Sequence, residues 1–310
     1  MKYSDFTKAA AILAANPPRF AMDAGREAAL YALDALLGEA DSETMPETGR
    51  YYRERFDRTL TEVAAYRGKT PRLWKVYSSG VIIRDGRRII GLDINNGCTP
   101  PFGRTTVKLK RSQTKALAQL LTEYYVTHSH EDHTSAELAD DMARQGKLIV
   151  MPAECIRRWM IKNGTPADNF ASPGCRTFMK WQGTAAGGLS CAMYLFTLSN
   201  GKTVFSRGDI FHKEGFEECM EQIRSWNAHI DYALMSHYST GGGTPPIETL
   251  EAQHQCRYIP THEWEFSHRV FGLTGCGNAQ SYEVLFREFA MPYRAGRVQC
   301  LSWGESIELD

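Results

Sequence analysis

Thr127-His128-Ser129-His130-Glu131-Asp132-His133-Thr134 places three His and an Asp within six positions, in a 310-residue chain that holds nine His in all. Leu120-Leu121-Thr122-Glu123-Tyr124-Tyr125-Val126 precedes it and reads as a strand, short and rich in β-branched and aromatic residues. Thr134 to Met142 reads as the start of a helix. The cluster therefore sits on a strand-to-helix loop. His128 and His130 are two apart in extended chain and can point the same way. Asp132 and His133 follow the turn and can face a second point a few Å away. That arrangement suits two metal ions side by side. Imidazole and carboxylate suit zinc foremost, with iron or manganese as alternatives.

Composition sets the frame for this loop. The chain is 43% hydrophobic and 23% charged, enough apolar residue for a substantial core. The 36 basic and 36 acidic residues cancel, so no overall charge draws nucleic acid or an anionic membrane. No apolar run reaches the length of a membrane span, and the N-terminus lacks a signal-peptide layout. Eight scattered Cys without a C-x-x-C pair read as reduced, mostly buried thiols, which predicts a cytoplasmic protein.

Residues 1–70 read as a helical extension. Phe6, Ala9, Ala10, Leu13 and Ala14 recur at helical spacing before Pro17-Pro18. Ala24 to Leu37 forms a second helix with Gly38 as its cap, Asp41 to Gly49 a loop, and Tyr51 to Tyr66 a third helix. From Leu73 the texture changes to strands. Apolar runs flank a hairpin turn at Asp85-Gly86, and strand then alternates with helix, the α/β signature. Cys191 to Leu198, Thr203 to Ser206, Ile230 to His237, Cys256 to His262 and Val298 to Trp303 read as further strands, with helices at Glu248 to His254 and Tyr282 to Phe289.

The H-x-H-x-D-H motif after a strand, followed by Ser206-Arg207-Gly208-Asp209 and by Ile259-Pro260-Thr261-His262, resembles the metallo-β-lactamase superfamily from about Leu73 to the C-terminus. The resemblance implies an αββα sandwich, two mixed β-sheets flanked by helices, over residues 71–310. It implies that His128, His130, Asp132, His133, Asp209 and His262 hold metal. Asp209 would bridge two ions, which suits a carboxylate with two oxygens. His262 would join Asp132, His133 and Asp209 at the second ion. Asp93, at the end of an early strand, would support the loop by hydrogen bonding.

One part of the pattern is missing. The superfamily usually supplies a further His between the first cluster and the bridging Asp, and residues 134–208 contain none. Gln182 stands where it would be, and a neutral amide is a poor ligand beside imidazole. Three outcomes follow: a weak or absent first ion, His237 or His212 in the missing place, or a fold kept without hydrolysis. The resemblance implies a hydrolase of a small ester, lactone or phosphodiester, with one or two ions activating water. Asp132 would orient that water or pass a proton, and His237 would meet the substrate or developing oxyanion. The alternatives are an inactive member that binds metal or a ligand, and a nucleic-acid phosphodiesterase. The latter would need a basic track from Arg104 through Lys108, Lys110 and Arg111, which reads better as a solvated loop. The helical extension is read as outer packing ahead of a cap over the site or a homodimer surface.

Overall fold

Strand residues alternate between two hydrophobic layers, and this alternation builds the fold. The computed structural model describes residues 2–39, 45–98, 107–168, 170–181, 189–210, 213–236, 246–266 and 281–310. One sheet contains β1 (Arg72–Lys75), β2 (Val81–Asp85), β3 (Arg88–Leu92), β6 (Glu123–Tyr125), β7 (Leu148–Met151), β8 (Thr165–Pro166) and β15 (Ser306–Glu308), in the order β15-β1-β2-β3-β6-β7-β8. The other contains β9 (Ala171–Ser172), β10 (Cys175–Trp181), β11 (Ser190–Thr197), β12 (Thr203–Ser206), β13 (Tyr232–Ser236) and β14 (Arg257–Thr261), in the order β14-β13-β12-β11-β10-β9. Both sheets are mixed. β3, β6, β7 and β8 run parallel, as do β12, β13 and β14, and the remaining neighbours are antiparallel. A short pair, β4 (Gly97–Cys98) and β5 (Val107–Lys108), stands apart.

The sheets pack face to face. Ile83, Ile90, Leu92, Tyr125 and Val150 of the first meet Ala192, Tyr194, Phe196, Val204 and Leu234 of the second. Their sequence neighbours point the other way. Ile82, Tyr124, Ile149, Met193, Phe205 and Met235 join a second hydrophobic cluster under the helices. Strands buried on both faces read as near-continuous apolar runs, which is how they look in the sequence. The result is an αββα sandwich.

The helices follow equally local rules. Asp23 caps α2 (Ala24–Gly38) by accepting from Arg26 N at 2.9 Å, and Ala29, Leu30, Leu33 and Leu37 form its buried stripe. Helix α1 (Tyr3–Ala15) buries Phe6, Ala9 and Leu13. Helix α3 (Met45–Ala65) buries Tyr52, Phe56 and Val63. Apart from Ala9, these side chains belong to the cluster under the helices that also holds Trp74, Tyr77 and Trp303, so the N-terminal helices pack against the outer face of the sandwich in one continuous core. Ser135 caps the helix after the metal-type motif, Ala136–Arg144, by accepting from Leu138 N at 3.1 Å.

Three expectations change. Gly38 is the last residue of α2 rather than a left-handed cap, because Glu39 closes the helix in a right-handed conformation. Helix α3 begins at Met45, since Pro46 falls in its first turn, where a missing N–H costs nothing. Val298 to Trp303 is not a strand. Val298 bridges Tyr258 for a single pair, and the chain then turns so that Ser302 N donates to Glu305 Oε2 at 2.7 Å. The closing strand is β15, paired with β1. The six described cysteine side chains are free and buried. Among the described residues no helix is long and apolar enough to cross a membrane.

Candidate metal centre

Four segments converge, and each leaves the C-terminal end of a strand, where open α/β sheets place their ligands. Asp93 follows β3, the His128–His133 loop follows β6, Asp209 lies beyond β12 and His262 follows β14. The first two belong to one sheet and the last two to the other, so only packing of the sheets assembles the site.

His128, His130 and Asp209 form one group whose donor atoms lie within 4.8 Å of one another, and Asp132, His133 and His262 form a second. His128 Nε2 is 2.9 Å from His130 Nδ1 and 3.6 Å from Asp209 Oδ2. In the second group, Asp132 Oδ2 is 2.9 Å from His262 Nε2 and 3.4 Å from His133 Nε2. Asp209 Oδ2 is also 3.4 Å from His133 Nε2 and 4.0 Å from His262 Nε2. One carboxylate oxygen thus faces both groups. All six are buried except His130, which is partly exposed.

The loop is held from behind. Asp93 accepts from Thr127 N at 2.7 Å and from Thr127 Oγ1 at 2.8 Å, and its Oδ2 lies 3.0 Å from His133 Nδ1. This contact leaves His133 Nε2 facing the centre. Carboxylates orient metal-binding imidazoles in this way. Gly208, at φ 55°, brings the backbone before Asp209 against Thr127 and Cys191, where a Cβ would stand 2.7 Å from each side chain.

The electrostatics fit a cation. Burial and the neighbouring His133 hold the His128 imidazole well below its ordinary value. His133 behaves oppositely: burial disfavours its charge, but Asp209, Asp132 and Asp93 outweigh that and raise it. The Asp209 carboxyl is buried, yet His133 and His128 hold it far below the usual carboxylate range. Asp209 Oδ1 is buried without a hydrogen-bond partner among the described residues. A buried carboxylate oxygen in that state, beside the His128 imidazole that burial keeps unprotonated, suits a transition metal ion.

The structure therefore brings together all six residues that the sequence singled out as ligands. His237, His212, Gln182 and Arg104 lie outside the described residues. Two contributors carried no local signal. Asn95 Nδ2 donates to the Asp132 carbonyl, and its Oδ1 accepts from Gly97 N at 2.6 Å. Ser79 Oγ lies 3.5 Å from His133 Nε2. Asn95 opens an Asn-Asn-Gly stretch, and nothing local told where its side chain would land.

No family model matches the sequence, and no curated protein matches it. Solved structures do. A protein described as "a possible metal-dependent hydrolase" from Veillonella parvula superposes with a TM-score of 0.55 at 16% identity, covering 78% of this chain and 100% of that one. An isothiocyanate hydrolase from Delia radicum gut bacteria gives 0.52 at 14%, covering 77% and 99%. A metallo hydrolase from the archaeon Ignicoccus hospitalis gives 0.50 at 18%, covering 78% and 99%. Identities this low speak for the fold alone, and with the paired mixed sheets they place it: this chain has the metallo-β-lactamase fold, shared with metal-dependent hydrolases.

Proposed function

We propose that the chain is a metal-dependent hydrolase of a small ester, lactone or phosphodiester, and that it works with one or two ions, zinc ahead of iron or manganese. The observation that carries this reading is the position of Asp209 Oδ2, within 4.0 Å of imidazole nitrogens from both ligand groups. A metal ion bound there would lower the pKa of a water toward neutral and polarise the bond to be cleaved. Asp132, 2.9 Å from His262 and 3.4 Å from His133, would orient the attacking water or pass a proton. Asp93 holds His133 in one orientation. His237 remains our candidate for meeting the substrate. Balanced charge favours a small neutral or singly charged substrate over nucleic acid.

The lack of His between residues 134 and 208 supports a second reading, a member that binds metal or a ligand without hydrolysis. Metal content per chain and a hydrolysis screen separate the two. The screen covers phosphodiesters, lactones and, because one structural neighbour is an isothiocyanate hydrolase, isothiocyanates. Bound metal with metal-dependent turnover, lost in His133→Ala and Asp209→Ala, is the expected result. Full activity in either variant would sink the hydrolase reading as stated. Bound metal without turnover would favour the second.

A further inference from the structure

The backbone that carries His262 is strained. His262 has φ 75° and Trp264 φ 50°, both in the left-handed region that glycine favours. Bulky residues stay there only where their surroundings impose it. Here the surroundings are unusual. Residues 262 to 266 are held by groups from the opposite sheet and from an N-terminal helix.

His262 N donates to Ser78 O at 3.2 Å, and Ser78 bridges Glu263. Lys75, on β1, lies 3.0 Å from Glu263 Oε1, and both side chains are essentially inaccessible, at 0% and 1%. The Lys75 ammonium also donates to Val76 O at 3.0 Å and to Ser78 O. Trp264 Nε1 donates to Asp34 Oδ1 of α2 at 2.7 Å. Asp34 also accepts from Tyr282 N and Glu283 N, both at 3.0 Å. Tyr77 Oη lies 3.2 Å from Glu265 Oε1 and accepts from Phe266 N at 2.9 Å.

A buried ion pair is weak evidence for stability, since apolar residues often do as well. Its location is the informative part. Asp132 and His133 come from the first sheet and His262 from the second. Their donor atoms must stay within a few tenths of an ångström to share an ion. Lys75 on the first sheet reaches Glu263, one residue past the ligand on the second. Asp34 grips the next residue but reaches in from the helical extension.

We propose that Lys75, Glu263 and Asp34 are positioning residues for His262, and that the N-terminal helices thereby belong to the support of the metal centre. The inference rests on the metal-binding reading above. It assigns the extension a task that outer packing alone would not.

The test is Co2+ titration of the metal-free full chain, followed by calorimetry and by the Co2+ absorption bands. His262→Ala first identifies the ion that His262 holds. In Lys75→Met and Asp34→Ala that ion is expected to bind 10- to 100-fold more weakly, as for other outer supports of metal ligands. Asp34→Asn keeps an oxygen for Trp264 and should restore much of the loss. Lys75→Met leaves Glu263 buried alone and can fail to fold, so Lys75→Met/Glu263→Leu is the second variant. It should regain folding stability without regaining Co2+ affinity, which a merely structural pair would not do. Wild-type Co2+ affinity in both Asp34→Ala and the double variant would overturn the inference. A wild-type chain that takes up no Co2+ would instead overturn the metal reading, and the inference with it.

Discussion

Asp93 shows how much one side chain can arrange. It occupies a left-handed position, φ 48°, at the end of β3, and it ties down Thr127 and His133 together. Asp93→Ala would leave Thr127 N and the His133 ring unsupported in the interior. The expected cost is about 2–4 kcal/mol by urea unfolding, because several buried polar groups lose one partner. Metal affinity should fall about 10- to 100-fold in titration of the same variant. Four of the candidate ligands, His128, His130, Asp132 and His133, were legible in the sequence because metal-competent residue types fall close together there, whereas Asp209 and His262, far along the chain, were named through the family resemblance. Asn95, Ser79, Lys75 and Glu263 were not legible, because each gains its role from a residue far along the chain. Asp231 gives a cleaner test of a charge. Burial works against its ionisation, but Thr203 N at 2.9 Å and Lys202 Nζ at 3.1 Å win and lower its pKa. A lowered carboxylate pKa stabilises the fold above the unfolded value, about 4, and that contribution disappears as pH falls through the folded value. Asp231→Asn should therefore cost about 1–2 kcal/mol at pH 7. In urea unfolding followed down to about pH 3, the gap to the wild type should narrow.

Among the elements, the ones read well had strong local punctuation. The Asp85-Gly86 turn joins β2 and β3, with Gly86 at φ 62°. Thr203–Ser206 is β12 as read, after a turn whose Gly201 has φ 82°. The element read wrongly, Val298 to Trp303, is mostly apolar but broken by Gln299 and Ser302, without a sustained alternation. Burial of Val298, Cys300, Leu301 and Trp303 explains its composition without any ladder. Short apolar runs do not by themselves distinguish a strand from buried irregular chain. The turn after β12 carries a sharper constraint. Gly208→Ala would place a methyl group 2.7 Å from Thr127 Cβ and Cys191 Sγ at a positive φ, directly before Asp209. Backbone must shift to admit it, at about 1–3 kcal/mol. Thermal unfolding should show the loss, and metal titration should show weakened binding because Asp209 moves with its neighbour.

Across the whole molecule, the helical extension and the sandwich are joined by a buried charge pair. Arg26 of α2 donates to Glu305 Oε1 at 2.8 Å and to the Cys300 carbonyl at 2.9 Å, and both charged side chains are nearly inaccessible. Arg26→Met would strand the Glu305 carboxylate in the interior, at about 3–5 kcal/mol. Arg26→Met/Glu305→Leu should recover most of that by urea unfolding, since well-packed apolar residues replace buried pairs at little cost. The extension was legible as three helices from the apolar spacing of the first, the Ala- and Leu-rich composition of the second and the loop and glycine punctuation around them. Its attachment was not, because Arg26 and Glu305 are separated by nearly the whole chain.

The sequence by itself determined the chemistry and the layers. Ligand types, apolar alternation and turn residues are local properties, each set by a few neighbouring side chains, so the α/β texture and the cluster from His128 to His133 could be read directly, while the αββα class, Asp209 and His262 followed from the resemblance that these motifs carry. Only the tertiary structure decided which ligands meet and what holds them. His128 and Asp209, or Asp132 and His262, become neighbours through the packing of two sheets. The supports behind them, Asp93, Asn95, the Lys75–Glu263 pair and Asp34, acquire their partners the same way. Burial makes those partnerships matter, because a charge or polar group removed from water must find a specific partner. Which one it finds depends on how distant segments of the chain pack together.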